Sequence, residues 1–133
     1  MQEISIPGTI IDEMIAHSER LNPIESCGYL AGKETTVTKH YEMTNVDQAH
    51  DHFTFDPKEQ FSVVKDARNE GLQLQVVYHS HPESPARLSE EDLRLLQDPN
   101  MVYIIVSLAA ERPDLKAFRI QDGTVSSVAI TRV

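Results

Sequence analysis

The sequence predicts one α/β domain over residues 1–133, a mixed β-sheet flanked by helices. Two segments carry apolar residues at helical spacing, and two others are apolar on both alternating faces, as in strands covered from both sides. Helical and strand-like segments alternate along the chain, which favours helices packed on a shared sheet. Near the end, two strand-like runs flank Asp122-Gly123, a strong hairpin signal. No repeat, low-complexity tract or linker interrupts the 133 residues, a length suited to one compact domain.

Ile4 to Ile6 predict a short strand, broken by Pro7-Gly8. From Thr9 to Leu21, the residues Ile10, Ile11, Met14, Ile15 and Leu21 fall on one helical face, and Asn22-Pro23 ends the run. Cys27 to Ala31 read as a strand closed by Gly32, with Val37 to Thr44 as its antiparallel partner. Asn45 to Phe53 is polar and irregular. A second helix starts with Asp56 as N-cap, Pro57 at its first position and Glu59 as a returning capping-box acid. Phe61, Val64 and Ala67 give this helix an apolar face, and Gly71 stops it.

Leu72 to His81 is a strand whose Val76, Val77 and Tyr78 are apolar on both faces, so it belongs in the middle of the sheet. Ser89 to Leu96 read as a helix and Met101 to Leu108 as a second buried strand. Leu115 to Ile120 and Val125 to Thr131 form the closing hairpin.

A formal net charge of −9 gives no electrostatic drive toward phosphate backbones or anionic membranes, so neither is an expected partner. Hydrophobic residues make up 40% of the chain, enough for a packed core. The single cysteine, Cys27, rules out an intrachain disulfide and a multi-thiolate zinc finger. Without a secretory pattern in MQEISIPGT or an apolar run of spanning length, a reducing, cytoplasmic setting is expected. Oligomeric state is left open.

The stretch YHSHPESPARLSEEDLRLL, Tyr78 to Leu96, carries the chemistry. Residues i and i+2 of a strand point the same way, so His79 and His81 share the face of Val77 with backbones about 6.6 Å apart. Imidazoles at that separation can converge on one ion, although two histidines so placed are also ordinary polar chemistry. No histidine follows His81, so a third ligand is an acid or lies upstream. Asp92 shares a helix face with Ser89, and Glu83, Glu90 and Glu91 compete with it. Ser89 before three acids is also a good N-cap in its own right. A second pair, His50-Asp51-His52, lies in the polar segment and reads as surface loop, and His17 and His40 read as helix- and strand-face residues.

Several metal and nucleophile plans are excluded by residue type. H-E-x-x-H is absent, one cysteine cannot supply a P-C-x-x-C pair, and no G-x-S-x-G elbow occurs. A barrel hydrolase with an H-x-H strand needs about 200 residues or more.

His79-Ser80-His81, seven residues, Ser89, two residues and Asp92 resemble the H-[ST]-H-x7-S-x2-D core of the JAMM/MPN-plus metallopeptidases. PIESCGYLAG, Pro23 to Gly32, is similar to the segment bearing that family's catalytic glutamate, particularly in its short prokaryotic members. The resemblance covers most of the chain and implies an MPN-like fold, related to the cytidine deaminase-like fold. It implies a zinc ion held by His79, His81 and Asp92 with water as fourth ligand, Glu25 as general base, and Ser89 supporting the oxyanion. Cys27 is then either a wall of the site or a small buried residue. The implied reaction is hydrolysis of an amide or isopeptide bond at the Gly-Gly tail of a ubiquitin-like sulfur-carrier protein, the tail being held by strand addition beside the site. The alternatives are a non-catalytic MPN-type scaffold that binds protein partners and a JAMM peptidase for another peptide.

Overall fold

A computed structural model describes residues 2–133. Its elements are β1 (Glu3–Ile6), α1 (Gly8–Leu21), β2 (Cys27–Lys33), β3 (Thr36–Met43), α2 (Pro57–Asn69), β4 (Gln73–His81), α3 (Glu90–Leu95), β5 (Val102–Ser107), β6 (Asp114–Gln121) and β7 (Thr124–Arg132). The strands follow the order β1-β3-β2-β4-β5-β6-β7, and β1 pairs with β7 to close the sheet on itself. β2 pairs antiparallel with β3 and β4, β4 runs parallel to β5, and β6 and β7 form the expected hairpin. Asp122 and Gly123 both take positive φ, 51° and 77°, as a two-residue turn of this kind requires.

The α/β expectation and the mixed sheet are borne out, and closure is the new fact. The closure is narrow, for β1 meets β3 only at Ser5 and Thr36, so β3 from Val37 to Met43 pairs with β2 on one side and keeps its other edge free of a strand partner. The segment between β3 and α2 carries an isolated bridge of its own, between Asn45 and Phe55.

Alternation along β4 divides the molecule. Val76 and Tyr78 face α1 and join Ile10, Ile11 and Met14 in one core cluster. Val77 faces the other way, with Cys27, Tyr29, Val63 and Tyr103. β4 is thus a central strand covered on both faces, as its apolar run predicts. Cys27 is fully buried in the second cluster, and its thiol is pushed up to about 12 by burial and by Glu59 and Glu25, so it is a packing residue.

Local chemistry sets the helix ends. Asp56 caps α2 by accepting the Lys58 N–H at 2.9 Å. The returning acid does not close the box: Glu59 instead accepts the N–H and hydroxyl of Thr44, each at 2.7 Å, and ties α2 to the end of β3. Gly71 ends the helix at φ 70°, with Leu72 N–H on Ala67 O and Gly71 N–H on Arg68 O, the two bonds of a Schellman motif. The apolar face of α2 is also corrected. Val63 and Ala67 pack inward, whereas Phe61 is 74% exposed and Val64 is 40% exposed.

Gly28 of β2 lies opposite Tyr78 of β4. A Cβ there would come within 2.3 Å of the Tyr78 ring and 2.6 Å of the Tyr41 carbonyl, and neither can withdraw without moving a strand. Gly28→Ala is expected to lower stability by about 1–3 kcal/mol, read as a lower urea midpoint at unchanged m-value.

Candidate metal centre

His79 and His81 end β4, where Pro82 stops the strand. His79 is fully buried and His81 is 4% exposed. Asp92 comes to them from the first turn of α3, positioned by a complete capping box. The Ser89 hydroxyl accepts the Asp92 N–H, and Asp92 Oδ2 accepts the Ser89 N–H, both at 3.0 Å. Cap and candidate ligand are therefore the same carboxylate.

His79 Nε2 and His81 Nε2 lie 3.1 Å apart. Asp92 Oδ1 is 3.2 Å from the first and Oδ2 is 3.1 Å from the second. Donor atoms bonded to zinc at about 2.0–2.1 Å in a tetrahedron sit about 3.3 Å from one another. The three side chains thus approach as ligands of one ion would, and they form a group able to hold a metal. His81 Nδ1 is 3.0 Å from the Pro85 carbonyl and donates to it, which leaves the Nε2 lone pair aimed at the common point. Phe53 stacks on the other imidazole, with centroids 4.9 Å from His79 and planes 28° apart.

The same geometry sets the charges. Burial holds His79 below its ordinary range. Burial would raise Asp92, but the adjoining His79 and His81 nitrogens and the Ser89 backbone N–H outweigh it and hold the carboxyl well below its ordinary range.

Glu25 lies just before β2, so it is not part of that strand, yet it is 4% exposed rather than solvated. Burial, then the charges of Asp92, Asp51 and Glu91, push its carboxyl up to about 9. In the metal-free chain it therefore keeps its proton at neutral pH, with Oε1 buried and without a hydrogen-bond partner, and a cation at the histidine pair would favour the ionised form that can accept a proton. Its backbone is bound on both sides, with the N–H on Ala49 O at 2.8 Å and the carbonyl accepting from Asn45 Nδ2 at 3.1 Å.

Ser80, between the two histidines, faces the opposite way and is fully buried. Its Oγ accepts the Ser26 N–H at 2.8 Å, while its own N–H donates to Ser26 O at 3.0 Å. The hydroxyl at the middle of the H-S-H run therefore staples the Glu25 segment to the histidine strand beyond the regular pairing of β2.

Beside the centre lies a cavity of about 500 Å³ that reaches Asp92, walled by Tyr29, Phe53, Phe55, Val77, Leu96 and Tyr103. His52, read as surface loop, lies on its rim between Asp51 and Asp47, at 3.0 and 3.2 Å. His17 and His40 also do more than face positions suggest. Both reach the Tyr78 hydroxyl, at 2.7 and 2.6 Å, and His40 Nδ1 lies 3.0 Å from Glu13. With His40 neutral, its Nδ1–H donates to Glu13, its Nε2 accepts from Tyr78, and Tyr78 accepts from His17, so every group in the chain is satisfied. A Tyr at 78 opposite Gly28 was the available signal for that cluster.

A closed mixed sheet that brings an H-x-H strand, a helix-borne aspartate and a buried glutamate together has the plan of a metal-dependent hydrolase. The chain belongs to the family described as prokaryotic homologs of the JAB domain, whose model matches residues 7–121. It is 32% identical over 131 residues to the CysO-cysteine peptidase of Mycobacterium tuberculosis (strain ATCC 25618 / H37Rv), covering 96% of this chain and 90% of that one. It is 30% identical over 108 residues to the desampylase of Pyrococcus furiosus, covering 80% and 75%. The solution structure of protein DSY2949 from Desulfitobacterium hafniense superposes with a TM-score of 0.90 at 38% identity, over 98% of this chain and 92% of that one.

Proposed function

We propose that this chain is a zinc peptidase that hydrolyses the amide or isopeptide bond at the C-terminal Gly-Gly tail of a ubiquitin-like sulfur-carrier protein. The observation that carries the reading is the approach of two imidazole nitrogens and both Asp92 oxygens to within 3.1–3.2 Å, with a buried, unpartnered Glu25 oxygen in a side chain close enough to Asp92 for their charges to interact. Relatives named as a CysO-cysteine peptidase and a desampylase support the substrate class. The fully buried lone cysteine fits a reducing, cytoplasmic setting, and among the described residues no helix is long and apolar enough to cross a membrane.

His79, His81 and Asp92 would hold the ion. A zinc ion there would supply an acidified water and polarise the scissile carbonyl. Glu25 takes the proton of the attacking water on Oε1 and returns it to the leaving amine. The Ser89 hydroxyl, whose oxygen accepts the Asp92 N–H, keeps its own proton to donate to the developing oxyanion. The aromatic cavity beside Asp92 offers walls for an extended tail. A non-catalytic scaffold has no use for a buried, unpartnered glutamate beside three converging donor groups.

The test is zinc content of the purified chain, followed by cleavage of a carrier extended beyond Gly-Gly, with and without a chelator. One zinc per chain and chelator-sensitive cleavage are expected. A chain that binds no zinc after reconstitution would overturn the reading.

A further inference from the structure

We infer that Asn45 is a positioning residue for the reaction, holding the general base and the aromatic cover of the metal centre in one register. Asn45 stands at the junction of β3 and the irregular segment before α2, and it is 4% exposed. Its Nδ2 group faces three carbonyls, Glu25 at 3.1 Å, His52 at 3.0 Å and Ala49 at 3.4 Å. Its Oδ1 accepts the N–H groups of Asp47 and Thr54, both at 3.2 Å. One side chain therefore satisfies five backbone groups from two segments far apart in sequence.

The two segments do different work. One presents Glu25, whose N–H returns to the same loop through Ala49 O at 2.8 Å. The other presents Phe53, stacked on His79, and His52 at the rim of the cavity. Phe53 on His79 and Phe55 stacked on Tyr29, with centroids 4.8 Å apart, hold the far end of the loop on the barrel, and the Asn45–Phe55 bridge closes its two ends on each other. A planar amide is the group that fits, since it carries two donors and an acceptor at fixed angles. An aspartate would turn an acceptor toward three carbonyls, an alanine would take a partner from five backbone groups, of which Ala49 O keeps the Glu25 N–H, and a glutamine would place the amide one methylene too far. Because Asn45 touches Glu25 and the cover but no ligand atom, it acts on the geometry of proton transfer and not on capture of the ion.

This inference rests on the reading of Glu25 as the base, so the test has one arm independent of activity. In Asn45→Ala, amide hydrogen exchange at Glu25, Asp47 and Thr54 is expected to speed up at least 10-fold, with Ile104 and Val128 unchanged. Zinc affinity, read by competition with a chromophoric chelator, is expected to stay within about 3-fold of the parent. On a carrier substrate kcat is expected to fall about 10- to 100-fold with KM little changed, the loss that a misplaced reacting group causes. Asn45→Asp, which keeps the acceptor for Asp47 and Thr54 and removes the donors, serves if the alanine variant does not fold, with faster exchange expected at Glu25 and the same outcomes for zinc affinity and kcat. Unchanged kcat, a parallel loss of zinc affinity, or exchange that rises throughout the barrel would each overturn the inference. If the parent cleaves no carrier while the local exchange result holds, the substrate reading fails and the clamp on Glu25 stands.

Discussion

Glu25→Gln is expected to lower hydrolysis by about 10²- to 10⁴-fold while leaving metal content intact. The substitution is nearly isosteric and touches none of the three groups that converge at the end of β4. What it removes is a carboxylate whose Oε1 is buried and unpartnered, the acceptor that we assign to the proton of the attacking water. The measurement is kcat/KM at matched zinc occupancy, and full activity would refute the role of Glu25.

The metal-free chain adds an orthogonal reading of the same variant. Burial raises Glu25 from an ordinary 4.5 to about 9. Below pH 4.5 the folded and unfolded chains both hold that proton. Between pH 4.5 and 9 the unfolded chain releases it and the folded chain does not, so stability drains as pH rises, by at most about 1.4 kcal/mol per pH unit. Glu25→Gln has no such proton to lose. Its advantage in denaturant midpoint over the metal-free parent should therefore grow across this window and level off above it.

Asp92→Asn has the second large expected effect, loss of zinc affinity by more than about 100-fold, with activity lost at any practical zinc concentration. Removing a partner of a ligand already costs 10- to 100-fold in affinity, and this change removes a ligand charge itself. An asparagine can still accept the Ser89 N–H, so α3 keeps its start and the loss is not one of folding. Isothermal titration with zinc, paired with circular dichroism, separates the two effects. Retained affinity would mean that Glu83, Glu90 or Glu91 supplies the third ligand.

Where sequence and structure agree, the signals are local. Asp56-Pro57 starts α2 and Asp122-Gly123 turns the last hairpin because a cap and a turn each depend on a few adjacent residues. His79 and His81 point together because strand alternation leaves them no other choice. The α2 face was misassigned because Phe61, Val64 and Ala67 and the observed Val63 and Ala67 both fit a helical period, and only the tertiary partner decides. Glu25 could not be selected by spacing from 21 acidic residues, and it required the likeness of PIESCGYLAG to a known segment. Asn45 left no signal, since a polar residue opening a polar loop looks the same whether it is solvated or buried under five backbone groups.

The pairing of Glu3 through Ile6 with Ala129 through Arg132 joins the first strand to the last. Such a contact closes nearly the whole chain into a loop before it gains anything, which slows folding for topological reasons. It also makes β1 and β7 dependent on each other: β1 has only one register pair with β3, at Ser5 and Thr36. Trimming β7 would unzip the barrel at that seam and expose β6 as a bare edge, and trimming β1 would do the same to β7, each ready to recruit a second chain. Shortened versions of this protein should therefore fail by aggregation before they fail by losing their chemistry.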